Sequence, residues 1–166
     1  MKKIFSLALA AALLMTALCA CGSSSGGKQD KQVDLAAFAQ TLQENHEFSM
    51  MIRNDPEDEE LGAIMLDNYY PSLRDMDLEQ IEVYLASNSF TSVELALVQA
   101  KNAEDAAAVK ASFQARSDNM TAPGTYPTAA ELWEQTAKVI SNGSYVMLVA
   151  HEDSAAVVSE FNDLFK

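Results

Sequence analysis

Residues 92–116 read SVELALVQAKNAEDAAAVKASFQAR, and the fold is decided there. The first part is a strand from Ser92 to Lys101. Val93, Leu95 and Leu97 alternate with Ala96, Val98 and Ala100, so the strand is apolar on both faces. The period then changes. Ala106, Val109 and Phe113 recur at helical spacing, which predicts a helix opening at Asn102 or Ala103 and running to about Asp118. A strand with two apolar faces needs cover on both sides, and a helix that follows directly can supply one side.

Downstream, Asn119 to Tyr126 is a loop broken by Pro123 and Gly124, with Pro127 after it. Thr128-Ala129-Ala130-Glu131 matches a capping box and predicts a short helix carrying Leu132 and Trp133. Lys138 to Ser141 and Tyr145 to His151 read as strands. Asn142-Gly143 between them predicts a hairpin with a type I′ turn. Asp153 or Ser154 then caps a last helix with Val157, Val158, Phe161, Leu164 and Phe165. Residues 92–98 can be laid over 144–150, and Ala107-Ala108-Val109 with Phe113 over Ala155-Ala156-Val157 with Phe161. Either an internal repeat or the general likeness of strand-then-helix units accounts for this.

Upstream, Ile81 to Ser87 reads IEVYLAS, a strand, with Asp77–Gln80 as a turn before it and Asn88–Thr91 as a turn after it. Asn54 to Glu60 carries five acids in six residues but lacks the EF-hand ladder. The better reading is a helix start: Asp55 as N-cap, Pro56 at the first helical position, and acids on the positive end of the dipole. Leu61, Ile64, Met65 and Tyr69 form its expected buried stripe. Leu35, Phe38 and Leu42 predict a first helix from Val33 to Asn45.

The expected architecture is α+β: N-terminal helices followed by a ββαββα unit forming a mixed four-stranded sheet with helices packed on it. Strands two and three are joined through helices, which predicts a parallel crossover. The repeat helices are expected on one sheet face and the N-terminal helices on the other.

The chain has 166 residues, which suits one domain. Its net charge of −13 argues against electrostatic capture of nucleic acid. The N-terminus has its own pattern. Lys2 and Lys3 precede an apolar run from Ile4 to Ala20, of signal-peptide length, which ends in Leu18-Cys19-Ala20-Cys21. That resembles a bacterial lipobox. It predicts a cleaved leader at 1–20 and a lipid on the Cys21 thiol. Cys19 leaves with the leader, so no disulfide is expected. Residues 21–32 form the anchor and a Gly/Ser tether, and 33–166 form a single α+β domain. The stretch GSSSGGKQDKQ after Cys21 spans roughly 18 Å as a flexible chain. The acidic body is expected to stand off anionic lipid headgroups. The expected location is the outer face of the cytoplasmic membrane.

A lipobox leader, a Gly/Ser tether, an acidic helix, IEVYLAS at 81–87, residues 92–116 and NGSYVMLVAHED at 142–153 together resemble the domain of unknown function 4358 family. The resemblance spans Val33 to Lys166. It implies small lipoproteins, mostly of Gram-positive bacteria, and it carries no established activity. Family features are matched by Glu94 early in the second strand, Arg116 near the end of the long helix, and Gly143-Ser144-Tyr145 at the last hairpin.

No nucleophile elbow, P-loop or HExxH pattern is present. No cofactor or metal is expected. His46 and His151 read as exposed and structurally idle. Tyr69, Tyr70 and Tyr126 fit either a recognition groove or packing, and Met65 and Met147 fit the core. Glu94 and Arg116 are the one pair singled out. A strand retreating about 20 Å from Ala100 and a helix returning about 18 Å from Glu104 bring them level. The sequence therefore points to a non-enzymatic, lipid-anchored envelope module that recognises an envelope protein or a small ligand, with a monomer favoured. The alternatives are a structural or assembly factor and a small cell-wall hydrolase with a carboxylate site.

Overall fold

The computed structural model describes residues 32–48, 51–55, 58, 61–87 and 92–166. The leader, Cys21, most of the tether and the turn at 88–91 lie outside the described residues.

The elements run α1 (Leu35–Asn45), β1 (Met51–Asn54), α2 (Leu61–Tyr69), a 3-10 turn (Pro71–Leu73), β2 (Leu78–Ala86), β3 (Glu94–Ala100), α3 (Ala103–Met120), α4 (Pro127–Thr136), β4 (Lys138–Asn142), β5 (Tyr145–Ala150) and α5 (Ser154–Asp163). Among the described residues the strands form one five-stranded sheet in the order β1-β2-β3-β5-β4. Every pairing is antiparallel.

Three expectations are corrected by this topology. The sheet has five strands, because Met51–Asn54 pairs with Val83–Ala86 as an edge strand. The sheet is not mixed. The chain does cross over from β3 to a strand running the same way, β4, but β5 inserts between them and pairs antiparallel with both. Residues 78–80, expected as a turn, belong to β2, which carries an irregularity between Leu78 and Gln80.

Helices cover both faces, though divided differently from the expectation. One core joins Leu95, Leu97, Tyr145, Met147 and Val149 of the sheet to Phe38 and Leu42 of α1 and Val157 and Phe161 of α5. The other joins Ala96, Val98, Val146 and Leu148 to Met65 of α2, Val109 and Phe113 of α3 and Trp133 of α4. Thus α3 and α5, the helices of the suspected repeat, lie on opposite faces. The alternation in β3 and β5 sends successive side chains to opposite cores. Burying a side chain such as Phe113 completely stabilises by about 1.5–3 kcal/mol.

The helix starts follow local chemistry. The Asp34 carboxylate accepts from the Ala37 amide at 3.0 Å and caps α1. Asn102 caps α3 by accepting from the amides of Glu104 and Asp105, each at 2.9 Å. The capping box at Thr128 does not form. Pro127 takes the first turn of α4, so Tyr126 becomes the N-cap and Thr128 lies inside the helix. The described part of α2 is Leu61–Tyr69, and the expected first helical position, Pro56, lies outside the described residues with Glu57, Glu59 and Glu60. Asp55 accepts from Arg53 Nη1 at 3.1 Å. In α2, Met65 is buried but Ile64 and Tyr69 are exposed. At the last hairpin Asn142 pairs with Tyr145, so the two loop residues are Gly143 and Ser144. Gly143 has φ +57°. Glycine at the first loop position is what a type II′ turn uses, one residue later than the expected type I′ placement.

The first described residues are held tightly. The Val33 amide donates to the Tyr145 hydroxyl at 3.0 Å. The Gln80 side chain donates to the Val33 carbonyl at 2.8 Å and accepts from the Leu35 amide at 2.9 Å.

Candidate functional site

Glu94 is the first residue of β3 and points to the face that α3 covers, with Ala96 and Val98. Arg116 lies near the end of α3. The structure brings them together. Arg116 Nε donates to both carboxylate oxygens at 3.2 Å, and Nη2 donates to Oε2 at 2.7 Å. Glu94 is only 2% exposed and the Arg116 side chain 14%. The Tyr70 hydroxyl also donates to Glu94. Tyr70 is itself fully buried and meets Phe113 edge-on at 5.4 Å. Burial, and then the adjacent Glu94 charge, pushes the Tyr70 hydroxyl well above its ordinary value, so it is a fixed donor at neutral pH. Burial works against the Arg116 charge, but Glu94 outweighs it and holds the guanidinium protonated.

Two aromatic rings hold the same guanidinium. Its carbon lies 4.8 Å from the Tyr69 ring centre and 5.3 Å from that of Trp133, within cation–π range. Trp133 Nε1 donates to the Ser92 carbonyl at 2.8 Å. Ser92 has φ +47°, and no other described non-glycine residue has a positive φ. Backbone strain of this kind costs about 1–3 kcal/mol and persists where surrounding contacts enforce it.

Of these residues Tyr69, Ser92, Glu94 and Arg116 line an open cleft of about 380 Å³, with Ser87 and Met120 among others, while Tyr70 and Trp133 lie behind it. Tyr69 keeps 39% of its surface exposed. Of the three tyrosines singled out from sequence, Tyr70 packs, Tyr69 lines the cleft, and Tyr126 is 70% exposed elsewhere.

A second cluster of the same composition sits on the opposite sheet face, and no local pattern announces it. Glu82, 6% exposed, accepts from Arg53 Nε and Nη2 at 2.8 Å each and from the Tyr84 hydroxyl at 3.1 Å. The register places Arg53 opposite Tyr84, so the cluster exists only once β1 is paired.

The histidines are not exposed and idle. His46, just after α1, lies between two acids of the C-terminal region: Nδ1 is 3.2 Å from Asp153 and Nε2 is 2.8 Å from Glu160. Burial lowers its pKa, but the hydrogen bonds and charges of Glu160 and Asp153 prevail and raise it above 6.5. His151 is buried. Its Nε2 lies 3.2 Å from the Glu47 carbonyl, and its Nδ1 accepts from the Asp153 amide at 3.0 Å. The Phe48 ring lies between the two imidazoles, 4.2 Å from His151 and 6.4 Å from His46. Among the described residues no group of His, Cys, Asp and Glu could hold a metal ion, and no helix is long and apolar enough to cross a membrane.

The fold and the cleft define a class: an α+β domain with helices on both faces of an antiparallel sheet and a recess over the β2–β3 end. The chain belongs to the family described as domain of unknown function (DUF4358), whose model matches residues 54–151, more than half of its length. The match takes in Glu94, Arg116 and the cleft but leaves out α1, all of β1 except Asn54, and the whole of α5. No curated protein and no solved structure matches the chain.

Proposed function

We propose that this protein is a non-enzymatic binding module of the cell envelope, held at the outer face of the cytoplasmic membrane by lipid on Cys21, with residues 21–32 as its tether. Recognition takes place in the cleft over Arg116. The observation that carries this reading is the cost of building that cleft: a buried ion pair, a buried tyrosine and a strained Ser92 all converge on one open recess. Buried ion pairs seldom repay their desolvation in stability alone, and strained residues cluster at functional sites. The leader sequence supports the anchor and the location. A carboxylate-pair hydrolase has less support, because Glu94 is the one acid among the described residues lining the cleft and Arg116 and Tyr70 already hold it.

The anchor is tested by growth on labelled fatty acid: label should enter the protein and vanish with Cys21→Ser. The binding reading is tested by placing a photoreactive residue at Ser87 on the cleft rim and at Lys110 on α3 in the full-length protein, expressed in its host. A defined adduct from position 87, lost on adding Tyr69→Ala and missing from position 110, is the expected result. The same adducts from both positions overturn it.

The assembly-factor reading draws on one observation. The sheet edge β1 carries Ile52 with 55% of its surface exposed, and such edges invite strand pairing. Sedimentation of the full-length protein in micelles decides: a monomer disfavours this reading.

A further inference from the structure

The chemistry of the cleft narrows what it can take. Its charged lining residues are Glu94 and Arg116, and they cancel. The whole chain carries −13, a field that disfavours the approach of an anion in general, and the paired Arg116 offers it no net positive charge. A cation meets no open carboxylate, because Glu94 is buried and already accepts from Arg116 and Tyr70. An uncharged ligand remains.

Hydrogen-bonding capacity is present on one side of the recess. A guanidinium has five N–H groups in a planar fork, and Glu94 engages only the Nε and Nη2 side of it. Arg116 retains some exposure and lines the cleft, with Ser87 nearby. The Tyr69 ring and Met120 supply apolar surface. An exposed aromatic ring beside fixed polar groups matches a ligand with one apolar face and a rim of hydroxyls. A peptide added as a strand is disfavoured, because the backbones here already pair with each other: Leu85 is in register with Glu94, and the Ala86 amide donates to the Val93 carbonyl at 3.0 Å. The volume of about 380 Å³ lies near the small end of the roughly 300–1,000 Å³ typical of ligand pockets.

We propose that the cleft binds an uncharged saccharide of one or two rings, with its apolar face against Met120 and the part of Tyr69 that Arg116 leaves open, and its hydroxyl or acetamido oxygens on Arg116. This rests on the cleft being the recognition site.

The test uses the full-length protein in zwitterionic, sugar-free micelles, followed through its amide resonances. The probes are N,N′-diacetylchitobiose, citrate, and an N-acetylated, C-amidated tetra-alanine. Expected are saturable shifts from diacetylchitobiose centred on Ser87, Ser92 and Arg116. Affinity should weaken about tenfold with Tyr69→Ala, the loss of one ring contact, and binding should vanish with Ser87→Trp, which fills the recess from its exposed rim. The second variant keeps the test decisive should the first disturb the fold. Citrate or the peptide shifting those amides while diacetylchitobiose does not overturns the saccharide but leaves the cleft as the recognition site. Silence of all three probes at the cleft, with the adduct from position 87 also missing, overturns both. Diacetylchitobiose binding that survives Ser87→Trp overturns the proposed location.

Discussion

Arg116 grips Glu94 with two of its nitrogens, through a contact that spans β3 and the far end of α3 and leaves the carboxylate 2% exposed. Replacing Arg116 with Met keeps the packing volume but leaves Glu94 with Tyr70 alone. The expected cost is about 3–5 kcal/mol in urea unfolding, the usual result of orphaning one partner of a buried pair. Adding Glu94→Leu should recover part of it. A double-mutant cycle should give a coupling of about 1–3 kcal/mol; a coupling indistinguishable from zero would mean that the pair stabilises nothing.

His46 should make stability depend on pH. Its folded-state pKa lies above 6.5 because Glu160 and Asp153 flank it. The protonated imidazole therefore contributes its full share below about pH 6.5. That share is lost as pH rises through the raised folded-state value. The facing groups are the two acids from the α5 region, Asn45, which donates to Glu160 at 3.2 Å, and the Phe48 ring. Comparing unfolding free energies of the wild type and His46→Gln across this range checks the sign: only the wild type should lose stability there. Parallel curves would remove His46 from the account.

Ser92 offers a test of backbone strain. At φ +47° a β-branched side chain is strongly disfavoured. Ser92→Val should cost about 1–3 kcal/mol, and Ser92→Gly considerably less, since glycine adopts positive φ freely. Equal losses from the two variants would show that the serine hydroxyl, not the backbone, is what matters.

Tyr145→Phe removes the acceptor for the buried Val33 amide. An unsatisfied buried donor costs about 1–3 kcal/mol. Hydrogen exchange at Val33 should accelerate while exchange within β3 and β5 changes only in proportion to overall stability. Unchanged protection at Val33 would show that water or another group replaces the hydroxyl.

Much of this molecule could be read from single residues. The change of period at Asn102 marks the end of β3 and the start of α3, because a strand and a helix impose different spacings on Leu97 and Val109. The Glu94–Arg116 approach followed from rise per residue along those two elements. β1 could not be read in this way. MIRN has no long apolar alternation and becomes a strand only by pairing with β2, so the Glu82–Arg53–Tyr84 cluster stayed hidden too. The His46 clasp was hidden for the same reason: 107 residues separate it from Asp153, and no local pattern reports a contact at that range. The sheet is antiparallel where a mixed one is expected, because sequence shows which strands a crossover joins but not which strand will insert between them.

The attachment of Val33 has a mechanical meaning. Gln80, Gln99 and Tyr145 stand side by side in register across β2, β3 and β5, and the Gln80 side chain also donates to Gln99. Val33 is bound to the first and last of this row. A pull on the chain ahead of Gln32 therefore enters the middle of the sheet and is shared by three strands at once. It does not reach a single edge strand, where a load would unzip the ladder one bond at a time.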